Sequence, residues 1–148
     1  MRVDKKSLFL GVVICLLPIL IGVYYCNVLP DQIAVHFNFK GEPDDFVSKT
    51  RAIIEIPVFF TVVQIIISLV VDFDKTPKKG ALIIKGIVPI LSIIVQGGLI
   101  LYALDSKFNV PQLMAFIIGI VFIVLGNYLP KKEFWGKYNF NLFGLEKG

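Results

Sequence analysis

His36 is the only histidine in the chain, and it stands among four of the eleven carboxylates: Asp31, Glu42, Asp44 and Asp45. All of them fall in one stretch, Leu29–Lys49, which also carries Asn38 and the turn formers Gly41 and Pro43. A carboxylate-rich turn can hold Ca²⁺, and a histidine with carboxylates can hold Zn²⁺. The spacing here matches neither an EF-hand loop nor H-E-x-x-H, so no metal is expected. The chain has no G-x-S-x-G, no P-loop, no C-x-x-C and no Ser/His/Asp cluster. The expectation is therefore a protein without enzymatic activity, with no catalytic residue and no cofactor.

Three further polar residues stand out because their surroundings are hydrocarbon. Gln64 and Gln96 fall in the middle of apolar runs and are expected to find partners on other helices. Lys85 lies one turn inside a third run and is expected to snorkel back toward its end. Two cysteines, Cys15 and Cys26, share the first run. In a helix they would stand roughly 16 Å apart, beyond disulfide reach, so both are read as free thiols.

The element that must position all of these is the apolar run. The chain has 148 residues, of which 56% are hydrophobic and only 18% charged. The runs reach the roughly 20 residues needed to cross a bilayer core. The reading is an all-α membrane protein, a single domain over 1–148. Its four transmembrane helices are placed at about 8–29, 52–71, 81–104 and 112–129. A small strand-and-turn loop, 30–51, joins the first two, and a tail, 131–148, follows the last. The first run is too long for a signal-peptide core and is read as a retained anchor. Prolines at 18, 57 and 89 fall inside runs, with kinks expected at Pro18 and Pro89.

Within the loop, Ile33, Val35, Phe37 and Phe39 alternate with Gln32, Ala34, His36 and Asn38, which predicts one short strand with an apolar face. Lys40–Asp45 is turn chemistry, and Ser48 or Thr50 is placed to cap the next helix. Glu55 is placed in that helix's first turn, where the helix dipole favours a carboxylate. The net charge of +4 reads as a topological signal and not as a nucleic-acid footprint. Eleven of the fifteen Lys and Arg lie in the N-terminus, the second connector with Lys85, and the tail; four lie in the loop and the third connector. The positive-inside rule then places both termini in the cytoplasm and the loop outside.

The loop LPDQIAVHFNFKGEPDDFVSK closely resembles the L-P-x-x-(I/V)-P-x-H-x-N-x-x-G-x-x-D-x-x-x-S-K pattern of the SdpI family of bacterial membrane immunity proteins. The matching residues are Leu29, Pro30, His36, Asn38, Gly41, Asp44 or Asp45, Ser48 and Lys49. LGNYLPK at Leu125–Lys131 resembles the same family's signature at the end of a later span, through Gly126, Asn127, Tyr128, Leu129 and Pro130. DKTPKKG at Asp74–Gly80 sits where the family has an Asp-Pro-Lys turn. Ala34 stands where the family has proline. After Lys131 the family's Arg-Thr-Pro-Trp run is absent, which predicts a short form doing part of the family's work.

The resemblance implies a multi-pass immunity protein in the bacterial plasma membrane, protecting its cell from a secreted antimicrobial peptide toxin. It also implies a second role in signal transduction, in which a transcriptional repressor is captured on the cytoplasmic face. Pro30, His36, Asn38, Gly41, Asp44, Asp45, Ser48 and Lys49 would then form the recognition surface, with membrane lipid as the standing partner and oligomers allowed. The residues alone leave two other classes open: a small transporter or channel component using Gln64, Gln96 and Lys85, and a metal-dependent membrane enzyme using His36 and its carboxylates.

Overall fold

Asp4 starts the first helix by accepting a hydrogen bond from the Ser7 amide at 3.2 Å, a side-chain cap on otherwise unpaired backbone donors. Helix α1 runs Lys5–Tyr25 and is apolar on all sides. Its buried face is Gly11, Cys15, Pro18 and Gly22, a stripe of small residues at helical spacing. Such stripes let helix backbones approach closely where lipid gives no hydrophobic drive to association. The opposite face, with Phe9, Leu10, Leu20 and Val23, is left to lipid.

In the computed structural model, residues 3–38, 40–73 and 78–128 are described. Phe39, the connector 74–77, Leu129 and Pro130 of the second motif, and the tail 131–148 lie outside them. After α1 come β1 (Gln32–Phe37), β2 (Pro43–Ser48), α2 (Lys49–Phe73), α3 (Lys78–Leu104) and α4 (Val110–Tyr128). All four helices are long and apolar enough to cross a membrane. The described residues make a helical membrane protein with four spans and a two-stranded antiparallel sheet between the first two.

Helices α1, α2 and α3 pack against one another, whereas α4 packs chiefly on α3. Closeness is set by glycine at three places. A β-carbon on Gly11 would fall 2.3 Å from Gln64 Nε2, one on Gly22 2.7 Å from Ile53, and one on Gly98 2.7 Å from Leu113. The first clamps α1 to the middle of α2, the second clamps the pair at the hairpin end, and the third fastens α4 to α3 near the hairpin.

Pro18, Pro57 and Pro89 are all buried in this three-helix core. A helix proline frees a carbonyl one turn back, and neighbouring helices re-satisfy such groups. Ser92 Oγ on α3 donates to the Cys15 carbonyl at 2.9 Å, one residue from the carbonyl that Pro18 leaves without its donor. Thr61 Oγ1 donates to the Pro57 carbonyl at 2.8 Å.

Several sequence expectations shift. α1 ends at Tyr25, not Leu29, because the chain tightens there: the amides of Val28 and Leu29 both bond the Tyr25 carbonyl. That turn drops Leu29 into a cluster with Ile33, Ala52, Ile53 and Ile100. Burying an isoleucine such as Ile33 stabilises by about 1.5–3 kcal/mol. Helices α2 and α3 each begin three residues earlier than expected and α4 two. The strand β2 was not expected at all, since Pro43–Ser48 has no apolar alternation. It forms because β1 offers it a ladder.

Candidate functional site

The hairpin is built from its turn outward. Gly41 has φ +82°, a conformation that glycine adopts without steric cost. Asn38 is the hub of the turn. Its side-chain oxygen accepts from the amides of Lys40 at 2.9 Å and Glu42 at 3.0 Å. Its side-chain nitrogen donates to Glu42 Oε2 at 3.1 Å, and its backbone bonds both Glu42 and Gly41. Asn38 thus spends its polar atoms inside the turn.

Along the strands the register is Gln32 to Ser48, Ile33 to Val47, Ala34 to Phe46, His36 to Asp45 and Phe37 to Pro43. Val35 on β1 and Asp44 on β2 have no opposite number. These two irregularities cancel, so the register is recovered beyond them. A bulge of this kind breaks strict alternation and re-aims side chains. Ile33 and Ala34, in the regular part of the ladder before the bulge, are both buried, although the period-2 reading put Ala34 on the polar face. His36 and Asp44 meet, with Nδ1 to Oδ1 at 2.6 Å. The pair is exposed, 68% for the imidazole and 42% for the carboxylate. With Nδ1–H donating to Asp44, Nε2 of the neutral ring remains as an acceptor.

The base of the hairpin is tied by Lys49 and Asp31. Their side chains lie 3.1 Å apart, and the Lys49 amide donates to the Asp31 carbonyl at 2.9 Å. Ser48 caps α2 by accepting from the Arg51 amide at 3.4 Å. Glu55 lies beyond the first turn of α2, because the helix begins at Lys49; Arg51 grips it in a two-pronged pair at 2.7 and 3.0 Å. Phe37 stacks edge-on against Tyr102 of α3, with ring centroids 5.0 Å apart, so the hairpin lies on the helix ends.

Of the eight loop candidates, Asn38 and Gly41 build the turn, and Ser48 and Lys49 anchor the base. His36 and Asp44 form a polar pair on the exposed surface, Asp45 is exposed opposite His36, and Pro30 is exposed before β1, at the base. Among the described residues, no three His, Cys, Asp or Glu side chains converge on a point that could hold a metal ion. Cys15 and Cys26 are both free.

The intramembrane residues behave differently from expectation. Gln64 finds its partner on its own helix, donating to Ser68 Oγ at 3.3 Å, and no hydrogen bond joins it to Gln96. Both glutamines are buried, at 0% and 1% exposure. Lys85 does not snorkel to the surface. It is 4% exposed and its ammonium lies 2.6 Å from Asp72 Oδ1 at the end of α2. Asp72 Oδ2 also accepts from the Asp4 amide at 3.0 Å. One carboxylate therefore ties the start of α1, the end of α2 and the first third of α3. Sequence reading put Asp72 in a connector; the available signal was an aspartate directly after an apolar run, 13 residues before a lysine inside the next. Gly126 and Asn127 of the second motif are exposed on the last turn of α4.

A family model described as a domain of unknown function (DUF1648) matches residues 13–61, which take in most of α1, the whole hairpin and the first half of α2. No curated protein and no solved structure matches the chain.

Proposed function

We propose that the chain is a plasma-membrane immunity protein of a bacterium, with both termini cytoplasmic and the hairpin outside, and that the hairpin surface meets a secreted antimicrobial peptide. The observation that carries this is a hairpin too well built for a tether. An apolar underside seats on the helix ends through Ile33 and Phe37, and an exposed His36–Asp44 pair stands above. An amphipathic peptide arriving at the leaflet meets that surface before the hydrocarbon. The loop's resemblance to the immunity family supports the reading, and the matched domain of unknown function is centred on the same segment without assigning it a role. Capture of a transcriptional repressor would fall to the cytoplasmic end, where Lys85 and Asp72 hold the helices together.

The proposed role is one of binding and not of catalysis. Ser48, the hydroxyl nearest in sequence to the His36–Asp44 pair, is engaged as a helix cap. The transporter reading would need Gln64, Gln96 and Lys85 to face a path, and all three are closed off in this conformation.

The test is survival of a sensitive strain expressing the parent, His36→Ala or Asp44→Ala, challenged with the cognate antimicrobial peptide, with membrane abundance matched by blot. Loss of protection at equal abundance is expected for both variants. Full protection by both removes the hairpin as the recognition surface.

A further inference from the structure

A polar cleft of about 500 Å³ opens between the hairpin tip and the turn that joins α3 to α4. Lys40 and Gly41 form one wall, and Ser106, Lys107, Asn109 and Gln112 the other. The two walls nearly touch: a β-carbon on Gly41 would sit 3.5 Å from Pro111. Lys40 and Lys107 come from different elements, and neither has an ion-pair partner among the described residues. Each lysine has a carboxylate two residues away: Asp105 accepts from the Lys107 amide at 3.0 Å, and Glu42 accepts from the Asn38 side chain at 3.1 Å.

A third source of positive potential enters from below. α4 begins at Val110, directly beneath Asn109, whose side chain accepts from the Gln112 amide at 2.9 Å. The first amides of α4 are already bonded, Val110 to the Phe108 carbonyl, Gln112 to the Asn109 side chain and Leu113 to the Asn109 carbonyl, so the helix start contributes only the positive end of its dipole, which favours anions. Two lysines, a helix start and amide and hydroxyl side chains around one cleft make a receptor for a compact, hydrogen-bond-accepting anion.

The cleft's level identifies the anion's source. Its floor is where α3 ends, at Leu104, and α4 begins, at Val110. Both helices cross the bilayer, so their ends lie at the depth of the lipid phosphates. Tyr102, an interfacial residue type, also lines the cleft. We propose that this cleft binds the phosphodiester of an anionic lipid headgroup, and that the bound lipid braces the hairpin tip against the α3–α4 turn. The site stands on the membrane-spanning architecture alone and is independent of the immunity reading.

The experiment measures lipid retained by the full-length protein in detergent, by native mass spectrometry, over a titration of phosphatidylglycerol with phosphatidylcholine as control. The parent is expected to retain phosphatidylglycerol preferentially. Each lysine neutralised, in Lys40→Gln and Lys107→Gln, is expected to weaken retention roughly fivefold, and the double variant by more than either. Lys40→Arg with Lys107→Arg should keep it. Both side chains are exposed, so the helical circular dichroism should not change. Equal retention by the parent and the Gln double variant overturns the proposal. Displacement of the lipid by millimolar inorganic phosphate overturns the lipid assignment and makes the cleft a site for free anions.

Discussion

Replacing Asp72 by alanine tests the tie between α1, α2 and α3. The substitution leaves the Lys85 ammonium, 4% exposed, without its counter-charge, and the Asp4 amide without its acceptor. Removing one partner of a buried pair typically costs about 3–5 kcal/mol. Lys85 lies seven residues into α3, or roughly 10 Å along the axis, so part of that cost is recovered if its stem carries the charge outward. Asp72→Ala should therefore lose about 3 kcal/mol, the lower end of that range. Lys85→Met should lose less, about 1–2 kcal/mol, because it removes the buried charge and leaves a carboxylate that is nearer the helix end and still hydrogen-bonded. The double variant should resemble Lys85→Met alone, giving a coupling of about 3 kcal/mol, the upper end of the range seen for contacting residues. The assay is reversible unfolding of the purified protein from mild detergent into SDS, followed by circular dichroism. Simple additivity of the two single losses, or an Asp72→Ala loss under about 0.5 kcal/mol, would refute the reasoning.

Glycine replacements should separate by position: Gly22→Ala drives a methyl to within 2.7 Å of Ile53 and should cost about 1–3 kcal/mol in the same assay, while Gly86→Ala, with nothing within 4 Å, should be near neutral. Gly41→Val places a β-branched residue at φ +82° and should loosen the hairpin, read as faster amide exchange at Lys40 and Glu42. For the proposed orientation, single cysteines at Asp44 and Lys78 in a background lacking Cys15 and Cys26 are exposed to an impermeant maleimide in intact cells. Labelling at 44 alone is expected, and labelling at 78 alone would reverse the topology. Elemental analysis of purified protein is expected to find no stoichiometric Zn²⁺ or Ca²⁺; one equivalent lost on His36→Ala would restore the metal-enzyme reading.

The spans were legible because a hydrocarbon core demands long apolar runs whatever the packing. The turn was legible because Asn, Gly, Pro and Asp carry their own backbone preferences. What the sequence hid depends on partners distant in the chain. Nothing local marks Pro43–Ser48 as a strand; β1 makes it one. Alternation mis-assigned Ala34 because it assumes one solvated face, whereas the strand is covered on both faces at Ile33 and Ala34. Lys85 looked like a snorkelling residue because its counter-charge, Asp72, seemed to lie in solvent. The cleft between the hairpin and the α3–α4 turn joins residues some seventy positions apart, Lys40 and Lys107, and no periodicity predicts it.

The bond from Ser92 to the Cys15 carbonyl joins residues 77 positions apart, while the Gly22–Ile53 contact spans 31. That difference sets an order of assembly. Closing the shorter loop costs less entropy, and its closure is the hairpin itself, so α1 and α2 can clasp while α3 is still being synthesised. Until then the Cys15 carbonyl lacks the Ser92 hydroxyl and the Asp72 carboxylate lacks its cation. α3 brings both, on residues seven apart, Lys85 and Ser92, two turns along one helical face. The third helix therefore docks in one register, read by two polar side chains against a clasp that is already waiting.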